Sequence, residues 1–242
     1  MARASAAAGD APTALRKASP RKPSRERGHM RYAALLDATE ALLQHHSPDD
    51  IGLYQIAEHA AVPPASVYHF FPTKDAAFLA LAERYLDGFR ELALRPVPAT
   101  ALASWQALTL FDQRQAMEFY NSHPAALKIF YGGYAGLEVR QAAVRYTATV
   151  ADGVYGRLDR VFHMPMMRTP GSKFRIALAI IDAIWGISYL THGHITEAFF
   201  TEAYDAYCNY CRQFLPAVVE VRDAYLDAAA NGGTVSLYNR TS

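Results

Sequence analysis

The sequence predicts an all-α chain, an N-terminal three-helix helix-turn-helix domain followed by a larger helical domain. Three observations carry that expectation. Apolar residues recur at helical spacing almost throughout the body. Two short helical runs near the start are separated by a tight turn and the Pro63-Pro64 step, the layout of a helix-turn-helix. The 242 residues are 51% hydrophobic, enough to bury a real core in one large or two small domains. The expected boundaries are a disordered basic tail over 1–30, the helix-turn-helix over 31–78, a second helical domain over 79–228 and a flexible tail over 229–242.

The first helix follows from Tyr32, Leu35, Leu36, Leu42 and Leu43, which fall on one face and end before Ser47-Pro48. Thr39 lies on that face as a semi-polar interruption. The second run, LYQIAEHAAV, sets Leu53, Ile56, Ala57 and Ala60 on one side, with Asp49, Asp50 and Gly52 ahead of it as start signals. It is too short to stand alone and must pack on something. Pro63 and Pro64 stop this helix and suit the first positions of the next, where proline forfeits no backbone hydrogen bond. The third helix ends at Phe70 or Phe71, because Pro72 disfavours a helical Phe71. Thr73 is the expected N-cap of a fourth helix, whose face is Phe78, Leu81, Tyr85, Phe89 and Leu92.

In a helix-turn-helix the second helix of the pair enters the DNA major groove, which here is residues 64–70. Val67 and Phe70, three apart, face the core and leave Ala65, Ser66, Tyr68 and His69 toward DNA. The short side chains of Ala65 and Ser66 permit close approach, and Ala65 suits a thymine methyl. Tyr68 and His69 carry polar tips on flat bodies and suit phosphate oxygens. Lys74 opposes the helix dipole in the first turn of helix four, which a phosphate at that N-terminus would compensate.

Charge is unevenly spread. The formal net charge is +1, yet residues 1–31 hold eight Lys and Arg against Asp10 and Glu26, a net +6, so the rest sums to −5. A basic tail on a mildly acidic body reads as an arm for a polyanion, nucleic acid or an anionic membrane, or as a solvated, disordered terminus. The Ala, Ser and Arg content also matches an organelle transit peptide, but Pro12, Pro20 and Pro23 would interrupt its amphipathic helix. Two cysteines and no secretory signal fit a reducing, cytoplasmic setting.

At these residues the chain resembles the TetR (tetracycline-repressor-like) family of bacterial transcriptional regulators. The stretch IAEHAAVPPASVYHFFPTKDAAF, residues 56–78, is similar to the family pattern of Ile-Ala, a small-residue turn ending in Val, a short reader helix with Tyr and a further aromatic, then Lys and an apolar pair. The resemblance covers about a fifth of the chain. It implies an all-helical, cytoplasmic, nucleoid-associated homodimer whose second domain binds a small effector, and neither an enzyme nor a cofactor or metal protein. By position it implies DNA contacts from Gly52, Tyr54, Ala65, Ser66, Tyr68, His69, Thr73 and Lys74. The chain departs from the pattern at Gly52, Pro63 and Pro64, where the family usually has Thr, Ser or Thr, and often Lys. Residues 32–95 also carry more acidic than basic side chains. The basic segment is expected to supply the difference, through Arg21, Lys22, Arg25, Arg27 and Arg31 on phosphates or in the minor groove.

Beyond residue 95, RPVPAT reads as a loop, and Trp105, Leu108, Phe119 and Tyr120 mark a helix ending at NSHP, where Pro124 opens the next. Gly132-Gly133 closes that one. A longer helix over 137–162 carries Val144, Val150, Val154, Leu158 and Val161, and the methionine-rich 163–173 is a loop. Residues 176–195 hold one charge in twenty positions, long enough to span a membrane. Asp182 near the centre would cost about 2.5 to 3.5 kcal/mol there, so a core helix is the better reading. Its companion over 198–215 sets Phe200, Ala203, Tyr204, Tyr207, Cys211 and Phe214 on one face. The family resemblance implies subunit pairing through these two helices, near 174–193 and 198–215, as a two-fold dimer.

For the effector, Trp105, Phe119, Phe130, Tyr131, Tyr134, Met166, Met167, Trp185 and Tyr189 are candidates to line an apolar cavity for an aromatic or lipid-like ligand, each being equally explicable as core. His123 and Asp182 are candidates to orient a polar group, with His123 alternatively capping the helix opened by Pro124. Cys208, Cys211, His192 and His194 number four zinc ligands, but cysteines on an aromatic helix read better as core. There is no Gly-rich phosphate loop or nucleophile elbow, and no carboxylate pair is singled out by its spacing. An unrecognised helical enzyme and a membrane-associated helical protein are the rival classes.

Overall fold

Apolar stripes become helices where the sequence places them. The computed structural model describes residues 19–133 and 137–238. Helix α1 (Glu26–His45) buries Leu35, Leu36, Ala38 and Leu43. Thr39 is fully buried with them, and its hydroxyl donates to the Leu35 carbonyl at 2.7 Å, so the interruption is satisfied within the helix. The helix begins five residues ahead of the expected boundary, inside the stretch expected to be a disordered tail. Glu26, Arg27, Gly28 and His29 carry no apolar stripe, so periodicity gives no sign of that first turn. Tertiary contacts supply the reason: the Arg21 N–H donates to the Phe70 carbonyl at 2.8 Å. The ring of Tyr32 packs 5.5 Å from Phe70 and 5.2 Å from Phe71.

A 3-10 turn, Pro48–Asp50, leads to α2 (Leu53–His59), whose start is tied by the Gly52 N–H donating to Gln55 Oε1 at 2.6 Å. The chain reverses through Ala61, a non-glycine at φ +52°, with the Val62 N–H returning to the Ala57 carbonyl at 3.0 Å. Helix α3 (Pro64–Phe70) follows and buries Val67 and Phe70. Phe71 is extended, as a residue preceding proline should be. Thr73 caps α4 (Lys74–Ala93) by accepting from the Ala76 N–H at 3.2 Å. The chain divides into two compact units after Leu81, within α4.

The second unit is also helical. Strand β1 (Val97–Pro98) pairs antiparallel with β2 (Thr234–Val235), Val97 opposite Val235, and a 3-10 segment covers Ala99–Ala103. Two expectations change here: the loop over 95–100 holds a strand, and part of the flexible tail over 229–242 is fixed. The Ala99 N–H donates to the Gly233 carbonyl at 2.8 Å, and Leu237 is buried. Two-residue strands are too short to show alternation, and their pairing closes a loop of more than a hundred residues.

Helices α5 (Trp105–Ser122), α6 (Pro124–Tyr131), α7 (Leu137–Val161), α8 (Pro170–His192), α9 (Glu197–Cys211) and α10 (Asp223–Asn231) complete it. Ser104 and Thr196 cap α5 and α9 through their hydroxyls. Gly132 ends α6, where a Cβ would collide with the Lys128 carbonyl oxygen. The core gathers Trp105, Leu108, Leu158, Phe162, Phe174, Trp185, Phe200 and Tyr207 among others. Val144, expected on the apolar face of α7, is instead exposed.

By length and composition α8 could cross a membrane. Within this unit it buries Phe174, Ala177, Ile181, Trp185 and Ser188 against its neighbours, while Ile176, Ile187 and Leu190 are exposed on another face. The stripe of α9 is spent differently. Phe200, Ala203, Tyr207 and Cys211 are buried within their own unit, so the exposed apolar face of the pair belongs to α8. Cys208 is buried too, whereas His192 and His194 are exposed at the end of α8. The zinc arrangement is not formed: among the described residues no three His, Cys, Asp or Glu gather around one point.

Candidate nucleic-acid interface and effector site

Helix α3 is short and stiffened by Pro64 at its first position, which fixes which side chains point outward. Val67 and Phe70 are spent on the core, leaving Ala65, Tyr68 and His69 exposed and Ser66 partly so. Tyr68 is 50% exposed and Tyr54, on α2, 67%; large aromatic side chains so open to water are available to a partner. Thr73 is exposed with its hydroxyl engaged in the α4 cap.

Beside α3, the segment before α1 and the first turns of α1 form the opposite wall of a groove of about 660 Å³. It is lined by Pro23, Ser24, Arg25, Arg27, Gly28, Arg31, Ala65, Ser66, His69 and Phe70. Three arginines predicted to hold phosphates thus share one concave surface with three predicted reader residues. The backbone bond from Arg21 to Phe70 holds the segment in place, and Gly28 fits closely on Pro23: a Cβ there would lie 3.1 Å from Pro23 Cβ, so the proline would have to give way by a few tenths of an ångström. Gly52 sits at the N-cap of α2.

Lys74 behaves differently from the expectation of a freely offered cation. Its Nζ donates to the Pro48 carbonyl at 3.1 Å and the Asp49 carbonyl at 3.4 Å, and lies 3.8 Å from Asp49 Oδ1. It neutralises the end of the 3-10 turn ahead of α2.

In the second unit, aromatic side chains from four helices form a chain of ring contacts. Phe89 of α4 lies 4.5 Å from Phe119 and 4.7 Å from Tyr120 of α5. Tyr120 in turn lies 6.1 Å from Phe130, 5.3 Å from Tyr131 and 6.0 Å from Trp185. The Tyr131 hydroxyl donates to Asp182 Oδ1 at 3.1 Å. Burial pushes the Asp182 carboxyl up to about 6, with the Tyr131 bond acting the other way. Yet Asp182 remains exposed. Burial likewise raises the Tyr120 and Tyr131 hydroxyls well above the usual tyrosine range.

Of the residues expected to line a cavity, Phe119, His123, Phe130, Tyr131, Asp182 and Trp185 join this cluster. His123 stacks on Phe119 at 4.3 Å, and its Nδ1 sits 2.7 Å from the Phe119 carbonyl oxygen, so it finishes α5 and makes no side-chain cap on α6. Trp105 does not join: it stands fourteen residues before Phe119, about 21 Å along α5, and its indole N–H donates to the Pro216 carbonyl at 3.0 Å. Met166 is fully exposed and lines no cavity, because the α7–α8 loop turns it outward. Met167 and Tyr189 pack against the hydrophobic core. Tyr134 lies outside the described residues. Sequence reasoning missed Phe89, Tyr85 and Tyr120 as members, although Tyr85 and Phe89 at i, i+4 on α4 were the available signal.

Comparison with known proteins places these features. Residues 35–81 match the sequence model of the family described as bacterial regulatory proteins, tetR family. No curated protein matches the chain. Among solved structures, a TetR-family transcriptional regulator from Streptomyces coelicolor is 21% identical, covering 77% of this chain and 98% of its own, with a TM-score of 0.56. SmeT, the repressor of the Stenotrophomonas maltophilia multidrug efflux pump SmeDEF, is 16% identical over 81% of this chain and 92% of its own, at 0.54. NalD, the secondary repressor of the MexAB-OprM multidrug efflux pump in Pseudomonas aeruginosa, is 20% identical over 80% of this chain and 100% of its own, at 0.51. These likenesses establish the fold.

Proposed function

We infer that this chain, which carries the tetR-family helix-turn-helix domain and has the all-helical fold of TetR-family transcriptional regulators, is a ligand-responsive, sequence-specific DNA-binding protein. On this reading it works in the cytoplasm as a homodimer and represses from a palindromic operator until a small apolar or aromatic effector releases it. An activator built on the same fold is the alternative. The observation that carries the reading is the groove in which Arg25, Arg27 and Arg31 face the reader residues Ala65, Ser66 and His69. A phosphate backbone lying there would bring α3 to base edges while Tyr54 and Tyr68 take flanking phosphates. The repressor role of SmeT and NalD agrees with the first alternative.

In mechanism, two reader helices about 34 to 36 Å apart match successive major grooves on one face of DNA. A ligand that favours a different spacing must lower DNA affinity by the same coupling free energy with which DNA lowers its own. Helix α4 runs from the reader unit into the second unit, where its Phe89 touches the aromatic cluster, so a ligand in that cluster bears directly on it.

The test is fluorescence anisotropy on DNA fragments flanking the gene, over a salt series, against random DNA. Selective binding is expected. Replacing Arg25, Arg27 and Arg31 together with Ala should flatten the slope of log affinity against log salt by about 2 to 3, at about 0.9 per phosphate contact. An unchanged slope would remove the arginines from the interface, and equal binding to random DNA would remove the regulator reading.

A further inference from the structure

Helix α10 ends at two consecutive glycines, Gly232 at φ +73° and Gly233 at φ +90°. Both values lie in the left-handed region that glycine adopts readily, and no atom of the described residues stands within 4 Å of where either Cβ would be. No side chain obstructs a turn at this joint. Beyond it the chain lies along the link that joins α4 to α5. Val235 and Thr234 pair with Val97 and Pro98, and the Ala99 N–H donates to the Gly233 carbonyl. Leu237 is buried in the same core as Val97, with Val235 and Tyr238 packed against it. The Tyr238 ring lies 5.1 Å from the Arg160 guanidinium and 5.9 Å from that of Arg157. Arg157 is also the side chain that donates to the carbonyl of Ala93, the last residue of α4. One short segment thus bears both on the link leaving α4 and on the arginine that holds its end.

The hold of this segment is slight. Leu237 is its one buried side chain, and its strand pairing is two residues long, whereas a two-stranded pairing is marginal by itself. Segments with so few buried apolar contacts open at a small fraction of the global stability. Opening would uncover Val97, which is fully buried with the segment in place. We propose that residues 232–238 form a latch, hinged at Gly232-Gly233, that closes on the α4–α5 link and fixes the last turn of α4. Closed, the latch restricts the end of α4 to one position. Open, it allows a wider set, of which fewer suit the operator, so apparent affinity for DNA falls with the competent fraction. The consequence for DNA rests on the regulator reading above; the opening itself does not.

The test is hydrogen exchange by mass spectrometry on the full chain, with operator anisotropy in parallel, for the natural sequence, L237S and V97C/V235C. Val97 and Val235 are directly opposite in an antiparallel pair, within disulfide reach, so oxidation of the double variant pins the latch and a reductant releases it. L237S should speed exchange over 94–103 by at least about tenfold, leave 26–81 unchanged, and weaken operator binding by at least about threefold. The oxidised double variant should exchange more slowly over 94–103 than its reduced form and bind the operator at least as tightly. Exchange that is the same in L237S as in the natural sequence, or the same in the oxidised and reduced forms, overturns the latch. Faster exchange with operator binding unchanged reduces the segment to structural cover and overturns it as well. Should L237S fail to fold by circular dichroism, the oxidised and reduced forms of the double variant decide. Selective operator binding beside unchanged exchange sinks the latch and leaves the regulator intact. Latch-dependent exchange without selective DNA binding does the reverse.

Discussion

Lys74 shows how one side chain changes its meaning between sequence and structure. In the sequence it opposes the helix dipole, a cost that a phosphate would offset. In the fold its ammonium already satisfies the carbonyls of Pro48 and Asp49, groups that would otherwise rely on water alone. K74M is therefore expected to lose about 1 to 2 kcal/mol of stability by urea denaturation, from two bonds to a charged donor that is partly open to water; no change would mean that the lysine is held only loosely. Asp182 offers a second test at this scale. Its folded pKa of about 6 lies above the ordinary aspartate value of 3.8, so the folded state binds the proton more tightly. That contribution is fully present below about pH 4 and is lost as pH rises through about 6. The natural sequence should accordingly lose more stability than D182N between pH 5 and 7, measured by urea midpoints at each pH. Parallel curves would place the carboxyl in ordinary solvent.

Elements are held by contacts that no local pattern reveals. The C-terminal end of α4 is tied to α5 and α7 by Arg157, whose Nη1 donates to the Ala93 carbonyl at 2.5 Å. Its Nη2 donates to Asp112 Oδ1 at 3.0 Å, and its Nε lies 2.9 Å from Asp112 Oδ2. The arginine side chain is 4% exposed and the aspartate 32%. Removing the two partners is therefore not symmetrical. D112A strands a buried guanidinium and should cost about 3 to 5 kcal/mol. R157M leaves a carboxylate with access to water and fills the space with apolar atoms, so its cost should be smaller by calorimetry or urea; the reverse order would mean that the Ala93 bond matters more than the ion pair. The start of α1 obeys the same logic. Glu26 to His29 look like tail, yet they are helical because Pro23 and Phe70 give that turn something to pack against.

At the scale of the whole molecule, Ile176, Ile187 and Leu190 are exposed on α8, and helical spacing sets all three on one side of the helix. The proposed two-fold pairing would cover them. I187E/L190E should shift the protein from dimer to monomer by light scattering and weaken operator binding with it; a dimer that survives the double change would locate the interface elsewhere. The sequence by itself determined the helical class, the turn between α2 and α3, the outward face of Ala65, Ser66, Tyr68 and His69, and the division of Val67 and Phe70 to the core. Those features are local: proline geometry, capping and a 3.6-residue period act over a few residues and can be read in order. The tertiary structure alone decided that α1 begins at Glu26, that the C-terminal segment pairs with Val97 and Pro98, and that Trp105 and Met166 stand apart from the aromatic cluster while Phe89 and Tyr120 join it. Each of those outcomes depends on which distant segment arrives alongside, and a one-dimensional pattern of apolar residues carries the face that must be buried without naming the partner that buries it.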